Sequence, residues 1–432
     1  MSALAKLMLI WGHKVSGSDL NYGSVAVELV EWGADVYLGA NLQKIREADL
    51  IVYSASIKED DTELSAARSY GKKIIGREHF LKEVSLEYAK LVAVGGTHGK
   101  TTVTSMLSEI FFEAELSYTA HIGGYSPRGN LVYRGKDIFL SEACEYNRSF
   151  LSLSPDVSVI LNAEFDHPDT YKNIGEVYKA FESFGASTRR GGTIVVNADS
   201  PVFSIIKCSY KHICTYSLES TATFTATNII DYANGYYGFQ ILEKNYPKVD
   251  IKLKIPGLYN VQNALAAYAT AVTVGVDRSI ARRGIENFTG VRGRMELMGN
   301  VLGAKVYRDY AHHPTEIASA VATAKRLAGK GELKVVFQPH TMLRTASLMG
   351  EFVVALSGES EVYILKEYAA RVEQGGCTAY ELYSELKKES KCYYYNTAIE
   401  LYSALANSLS AGDTVLILGA GDVAESYTLL LK

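Results

Sequence analysis

The chain has 432 residues, enough for about three domains at roughly 150 residues each, so a disulfide-stapled mini-protein is excluded. With 47% hydrophobic and 21% charged residues it reads as a globular chain, not a disordered or collagen-like one. Forty-four basic against 48 acidic residues leave a net charge of −4, so no chain-wide field points to nucleic acid or an anionic membrane.

The first apolar run, Ala3 to Trp11, suggests a signal peptide, but Lys6 interrupts it, no basic segment precedes it and no small-residue cleavage site follows. It predicts an amphipathic helix running to Gly12, with His13 leading into a strand. Helices in an α/β alternation cross over between parallel strands, so a chain opening on one predicts a strand ahead of Met1. From Val15 to about residue 88, β-rich runs at Val15–Asp19, Asp35–Leu38, Leu50–Tyr53 and Lys73–Ile75 alternate with helical stretches at Ser24–Glu31 and Thr62–Tyr70. A second unit opens at Leu91–Val94, runs through a glycine-rich loop into a helix from about Lys100 to Glu113, and adds buried strands at Val157–Leu161 and Thr193–Val196. An exposed β stretch around residues 213–254, a helix at Tyr259–Val274 and a hinge at Gly290–Arg294 complete it. The third unit alternates again through Val335–Val336, Val362–Leu365 and Thr414–Leu418. The expected fold is α/β in three domains, at 1–88, 89–294 and 295–432.

The strongest chemical signal is Gly95-Gly96-Thr97-His98-Gly99-Lys100-Thr101-Thr102, directly after an apolar strand and directly before a helix. There the backbone N–H groups and the helix N-terminus make an anion cradle, Lys100 reaches nucleotide phosphates and the Thr101 hydroxyl ligates Mg²⁺. The spacing is two residues shorter than the general G-x-x-x-x-G-K-[ST]. Two acidic clusters follow at carboxyl ends of strands: Glu142-Ala143-Cys144-Glu145, and Asn162 to His167. Ligands collect at such ends, and hard oxygen donors suit Mg²⁺. His167 by itself also fits a cap for a helix after Pro168. Cys144 reads as a packed small residue, Tyr393-Tyr394-Tyr395 as a buried strand and Arg189-Arg190 as a solvated turn. Five cysteines (Cys144, Cys208, Cys214, Cys377, Cys392) without paired zinc spacing fit a reducing cytoplasm. No apolar run approaches the roughly 18 residues of a membrane span.

The loop Gly96–Thr102, Glu142–Glu145 continuing to Leu151, and Asn162–His167 resemble the central domain of Mur ligases. Asn260-Val261-Gln262-Asn263, Asp309–Glu316, Phe337–His340 and Gly419–Asp422 extend the resemblance over essentially the whole chain. It implies a Rossmann-like N-terminal domain lacking its first strand, a central phosphate-loop ATPase-type domain and a Rossmann-like C-terminal domain. The implied activity is ATP-dependent joining of L-alanine to UDP-N-acetylmuramate through an acyl phosphate, in peptidoglycan precursor synthesis. Screening two anions that must meet requires clustered cations and metal. By resemblance, Gly96, Thr97, His98, Gly99, Lys100, Thr101 and Thr102 hold the ATP phosphates. Thr101 and Glu142 hold one Mg²⁺, His167 a second, and Lys100 neutralises the transferred group. Asn263 matches an adenine contact, Arg294 and Asp309 complete the ATP site on closure, and His312 and Arg344 match positions near the muramoyl and amino-acid substrates. In the first unit, Ser18, Asp19 and Ser54 are the expected uridine-nucleotide contacts, Asp19 because a strand-end acid commonly meets a ribose hydroxyl. Gly293, Arg308, Tyr259 and Thr341 depart from the family pattern, with Arg292 a candidate to compensate for Gly293. The residues leave open a sibling ligase using another amine or peptide, or a truncated nucleotide-binding paralogue without ligase activity.

Overall fold

A computed structural model describes residues 1–20, 22–207, 212–358, 361–368, 375–423 and 425–431, so Cys208 lies outside the described residues. In the helix Ser2–Ile10 the spacing of Ala3, Leu4 and Leu7 puts three apolar side chains on one buried face. Lys6 is buried among them because its ammonium meets the Glu28 carboxylate at 2.5 Å and the Asn130 amide oxygen at 2.8 Å. The helix stops at Ile10, short of the expected Gly12, whose φ of +84° turns the chain away. Strands β1 (Ser16–Asp19) and β2 (Asp35–Leu38) pair in parallel, as do β3 (Leu50–Tyr53) and β4 (Lys73–Gly76), and the two pairs are separate sheets. Leu50, Val52 and Ile75 lean, with Met8 and Trp11, on a core cluster that continues beneath the next unit.

Strand β5 (Lys90–Gly95) sits inside a ten-stranded sheet, and Leu91 to Val94 are buried on both faces, as a helix-covered parallel strand demands. The other strands are β6 (Tyr118–Ser126), β7 (Gly129–Tyr133), β8 (Ile138–Ala143), β9 (Val157–Ile160), β10 (Thr193–Asn197), β11 (Ile213–Ser217), β12 (Phe224–Asp231), β13 (Tyr236–Glu243) and β14 (Val249–Pro256). Their order is β14-β13-β12-β11-β10-β9-β5-β8-β6-β7, with β8 and β9 flanking β5 in parallel. Strand β14 alternates, Ile251, Leu253 and Ile255 inward and Lys252 and Lys254 outward, which marks a sheet with one wet face. The helices Lys100–Glu113, Tyr259–Val274 and Arg278–Asn287 pack together on the sheet. Gly284 permits the closest approach: a Cβ there would lie 2.6 Å from Ile110 Cα.

The last unit is a six-stranded sheet of β15 (Glu296–Val301), β16 (Ala304–Asp309), β17 (Leu333–Phe337), β18 (Glu361–Leu365), β19 (Cys392–Tyr395) and β20 (Thr414–Leu418), ordered β15-β16-β20-β17-β18-β19. All its pairings are parallel except the β15/β16 hairpin. The tyrosines expected in a buried strand form β19, but at a sheet edge with one neighbour, and Tyr393 is exposed. Arg189, expected to be solvated, pairs with Asp156 at 3.1 Å. No helix among the described residues is long and apolar enough to cross a membrane.

Candidate active site

The carboxyl end of β5 delivers the chain into the phosphate loop, and two glycines shape it. Gly99 has a φ of +84°, and a Cβ on it would meet the Asn263 amide oxygen at 2.6 Å. A Cβ on Gly96 would lie 2.8 Å from Leu161 Cβ. Only residues without a side chain fit this cradle. The extension of β9 holds the loop from below: Asn162 accepts from the His98 amide at 2.8 Å and donates to its carbonyl at 3.2 Å. The Glu164 amide donates to the Thr97 hydroxyl at 2.9 Å.

Lys100 opens the helix Lys100–Glu113, and its ammonium donates to the carbonyls of Gly96 and Thr97 and, at 2.8 Å, to the Glu145 carboxylate. Burial alone would lower its pKa, but Glu145 outweighs burial and holds it above the ordinary lysine value. Glu145 is itself buried; burial would raise it, yet Lys100 and His167 keep it below the usual carboxylate range. His167 Nε2 lies 3.5 Å from Glu145 and 3.7 Å from Asp166. Its backbone φ of +54° is unusual for a non-glycine residue, and such conformations persist where the surroundings over-determine them. His167 caps no helix: the next one, Ile174–Ala186, is capped by the Asn173 side chain. Glu142 accepts from the Gly123 amide at 2.6 Å and from the Thr101 hydroxyl at 3.0 Å, and burial raises its carboxyl pKa. Thr101 and Glu142 thus converge two hard oxygen donors beside a lysine at a helix N-terminus, a set that fits Mg²⁺ and a nucleotide phosphate.

The C-terminal unit closes this centre. Arg344 forks onto Asp166 with bonds of 2.7 and 3.2 Å, both side chains buried, and the guanidinium holds Asp166 ionised against the cost of burial. The remaining Arg344 nitrogen, Nη1, is buried and has no hydrogen-bond partner among the described residues, so it can take an anionic group. His312 shares its Nδ1 with the Tyr310 carbonyl at 2.9 Å, and burial beside Arg344 pushes it down to about 3, so the ring is neutral. Arg294 reaches from the hinge to Glu316 at 3.6 Å and Asp309 at 3.9 Å, and lies over the Tyr310 ring. Asp309 accepts the amides of Met295 and Ala311, each at 2.8 Å, and burial pushes it up to about 6. Its carboxylate is occupied in fastening the hinge.

These side chains line one cavity of about 340 Å³, with Thr97, His98, Gly99, Lys100, Thr101, Glu142, His167, Arg294, His312 and Arg344 among its walls. A larger groove of about 650 Å³ lies between Pro314–Lys325 and Gly350–Ser357, but it is shallow and mainly apolar, and none of these converging groups borders it. Gly96, Asn263 and Asp309 support the cavity from behind, and Thr102 is buried in its helix. Ser18, Asp19 and Ser54 are not brought to it. Ser18 donates to Glu63 and Ser54 lies 2.6 Å from Ser56, both in the N-terminal unit. The sequence offered Glu145 and Asp166 only as members of acidic clusters suited to Mg²⁺, not as partners of Lys100 and Arg344, and assigned no role to Glu316 or Tyr310. Cys144 lines the wall with its thiol pushed up to about 11 by burial, which leaves it inert as a nucleophile.

Residues 94–271 match the Mur ligase middle domain, 293–421 the Mur ligase glutamate ligase domain and 1–89 the Mur ligase family catalytic domain. A UDP-N-acetylmuramate–L-alanine ligase of Caldicellulosiruptor saccharolyticus is 37% identical over 437 residues, spanning 100% of this chain and 96% of that protein. The chain belongs to the Mur ligase family. A second relative of the same description, from Acetivibrio thermocellus, is also 37% identical, over 100% of this chain and 93% of its own. The solved UDP-N-acetylmuramate–alanine ligase of Thermotoga maritima superposes with a TM-score of 0.85 at 26% identity, covering 100% of this chain and 95% of that one.

The four positions expected to depart from the Mur ligase pattern each have a definite local setting. Gly293 has a φ of +74°, and its amide donates to Glu296 at 2.6 Å. Arg308, directly opposite Glu296 in the β15/β16 hairpin, pairs with the same carboxylate at 2.7 Å, so its charge is neutralised away from the cavity. Arg292, the candidate to compensate for Gly293, is exposed and is not among the residues that line the cavity. Tyr259 packs on the C-terminal core, and Thr341 lines the cavity as the residue before the helix Met342–Ser347.

Proposed function

We propose that this chain is a cytoplasmic ATP-dependent ligase that joins L-alanine to UDP-N-acetylmuramate, supplying peptidoglycan precursor synthesis. The observation that carries this reading is the convergence of Lys100, the Thr101–Glu142 pair, His167 and the half-open Arg344 fork on one cavity between the central and C-terminal units. In the proposed reaction the muramate carboxylate oxygen attacks the γ-phosphorus of ATP and ADP leaves. The unprotonated amine of L-alanine then attacks the acyl carbon, phosphate departs with the carboxylate oxygen, and the proton released from the amine nitrogen ends on the departing phosphate. Mg²⁺, held by Thr101 and Glu142 and by His167, would supply charge neutralisation. Lys100, kept charged by Glu145, offsets the negative charge on the transferred group. Arg344, anchored by Asp166, directs Nη1 at a substrate carboxylate, and neutral His312 stands beside it without adding repulsion to the amine. Asn263 is assigned to adenine, Arg294 and Asp309 to closure over ATP, and Ser18, Asp19 and Ser54 to the uridine nucleotide.

The domain assignment that goes with this reading is 1–88 for the sugar nucleotide, 89–294 for ATP and metal, and 295–432 for closure and amine selection. Purified protein should release phosphate from ATP only with both UDP-N-acetylmuramate and L-alanine present. Release that ignores the sugar nucleotide, or preference for another amine in a side-by-side screen, would refute the assignment.

A further inference from the structure

The phosphate loop contributes one side chain whose position a phosphate contact does not explain. The His98 ring is 13% exposed, and its two nitrogens face two carboxylates, Nε2 at 3.4 Å from Glu164 Oε2 and Nδ1 at 3.3 Å from Glu316 Oε1. Nε2 is buried and makes no hydrogen bond among the described residues, and Nδ1 is turned to Glu316, so the ring meets the two acids as charges. The two acids come from different units: Glu164 follows β9 of the central sheet, whereas Glu316 is in the first turn of the helix Pro314–Ala328, where the helix dipole favours an anion. The main chain of His98 is pinned to Asn162, so the ring is aimed by the central unit alone.

Two hydrogen bonds beside this contact join the same two units. Thr315 donates to Glu164 at 2.5 Å, and His313 Nε2 shares a hydrogen bond with the Phe165 carbonyl at 3.1 Å. Glu316 also faces Arg294 at 3.6 Å and His312 at 3.7 Å. The ring lies between both carboxylates only when the C-terminal unit is seated on the loop. Burial would disfavour charge on it, but the two acids prevail and raise it to about 9, and Glu164 is drawn down to about 2 in turn.

We propose that His98 is a positioning residue that couples the phosphate loop to the C-terminal domain, so that ordering of the loop and closure of the domain are one event. This rests on the proposed reading that the loop takes ATP phosphates, and it replaces a phosphate contact by His98 with a bridge between domains.

The test compares wild type with His98→Gln in binding of a non-hydrolysable ATP analogue, in closure measured by small-angle scattering with analogue plus sugar nucleotide, and in steady-state kinetics. The analogue alone meets the open form, whose loop the central unit still offers, so its affinity should stay within about threefold, whereas the closure equilibrium should weaken by about 5–150-fold, the range of a typical coupling between sites, and kcat should fall with it. A loop merely damaged by the substitution would lose affinity and kcat together, and that result would overturn the coupling. A double variant, His98→Gln with Glu316→Gln, should lose less than the product of the two single losses; fully multiplicative losses would count against a shared bridge. Wild type that binds no analogue overturns both this inference and the functional reading. Wild type and His98→Gln that bind and close alike overturn the coupling alone. His98, Glu164 and His313 also bring one ligand atom each within 4.8 Å of the others. Closure abolished by a zinc-selective chelator and restored by Zn²⁺ would place a metal there and overturn the bridge as stated.

Discussion

Replacing Lys100 by methionine separates two roles that the structure gives to one ammonium. The Lys100–Glu145 pair is short, 2.8 Å, and the Glu145 side chain is 4% exposed. Removing one partner of such a pair strands the other, at a cost of about 3–5 kcal/mol. His167 stays 3.5 Å from Glu145, so the low end, about 3 kcal/mol, is expected. Lys100→Met should therefore lose stability as well as activity. Adding Glu145→Gln removes the stranded charge and should restore stability to within about 1 kcal/mol of wild type.

Activity should not follow, because the charge meant for the transferred phosphate is still absent; phosphate release should stay down by about 10²–10³-fold in both variants. Urea denaturation of the three proteins and a coupled phosphate assay make the comparison. Single and double variants of equal stability would show that Glu145 does not depend on Lys100. Activity recovered in the double variant would show that the lysine acts only by neutralising Glu145, and would end the argument for its role at the phosphate.

Three further outcomes are expected. Gly99→Ala forces a side chain onto a φ of +84° and against Asn263, so nucleotide affinity should fall by roughly tenfold while circular dichroism is unchanged; an unaltered affinity would contradict the tight cradle. Thr101→Val removes one oxygen donor and the 3.0 Å bond to Glu142, so the Mg²⁺ concentration for half-maximal activity should rise about tenfold, and an unchanged requirement would remove Thr101 from the metal site. Glu361 carries Lys334 at 2.8 Å and also meets Lys391; burial would raise its carboxyl, but these lysines depress it to about 2 from 4.5. Its folded-state pKa lies below the unfolded one, so its contribution is present above about pH 4.5 and is lost as pH falls toward 2. With the side chain 12% exposed, that contribution is roughly 2–3 kcal/mol, and Glu361→Gln should flatten the acid limb of stability against pH; an identical limb in the variant would refute it.

What could be read from the sequence follows the range of the interactions involved. Strand β5, its loop and the helix Lys100–Glu113 are legible because the apolar run, the glycines and the Gly-Lys-Thr spacing all act within about a dozen residues. The helix Tyr259–Val274 is legible for the same reason, and it ends on Gly275 in the left-handed conformation that glycine favours. Tyr393–Tyr395 show where local reading stops: three tyrosines in a row say strand, but whether that strand is covered depends on where it falls in the sheet order. The role of Arg308 depends on hairpin register, which puts it opposite Glu296, and nothing in the residue itself announces that.

The site divides along the same line. The donors that the central unit supplies, Lys100, Thr101 and Glu142, stand in recognisable local motifs. The charge pairings do not show in those motifs: Glu145 shares one with Glu142 but pairs with Lys100, 45 residues away, and Arg344 is 178 residues from Asp166. Long-range partners of this kind have a physical reason. A buried carboxylate such as Asp166 would be costly in the central unit alone, and it is ionised because the C-terminal unit brings Arg344 to it. With His98 and Glu316 the dependence runs the other way, the central unit supplying the ring that faces the C-terminal acid. Each unit therefore holds charges that the other must balance, so the electrostatics that close the two units are also those that assemble the cavity. Separate motifs can name the parts of such a site, but its charge state belongs to the closed pair.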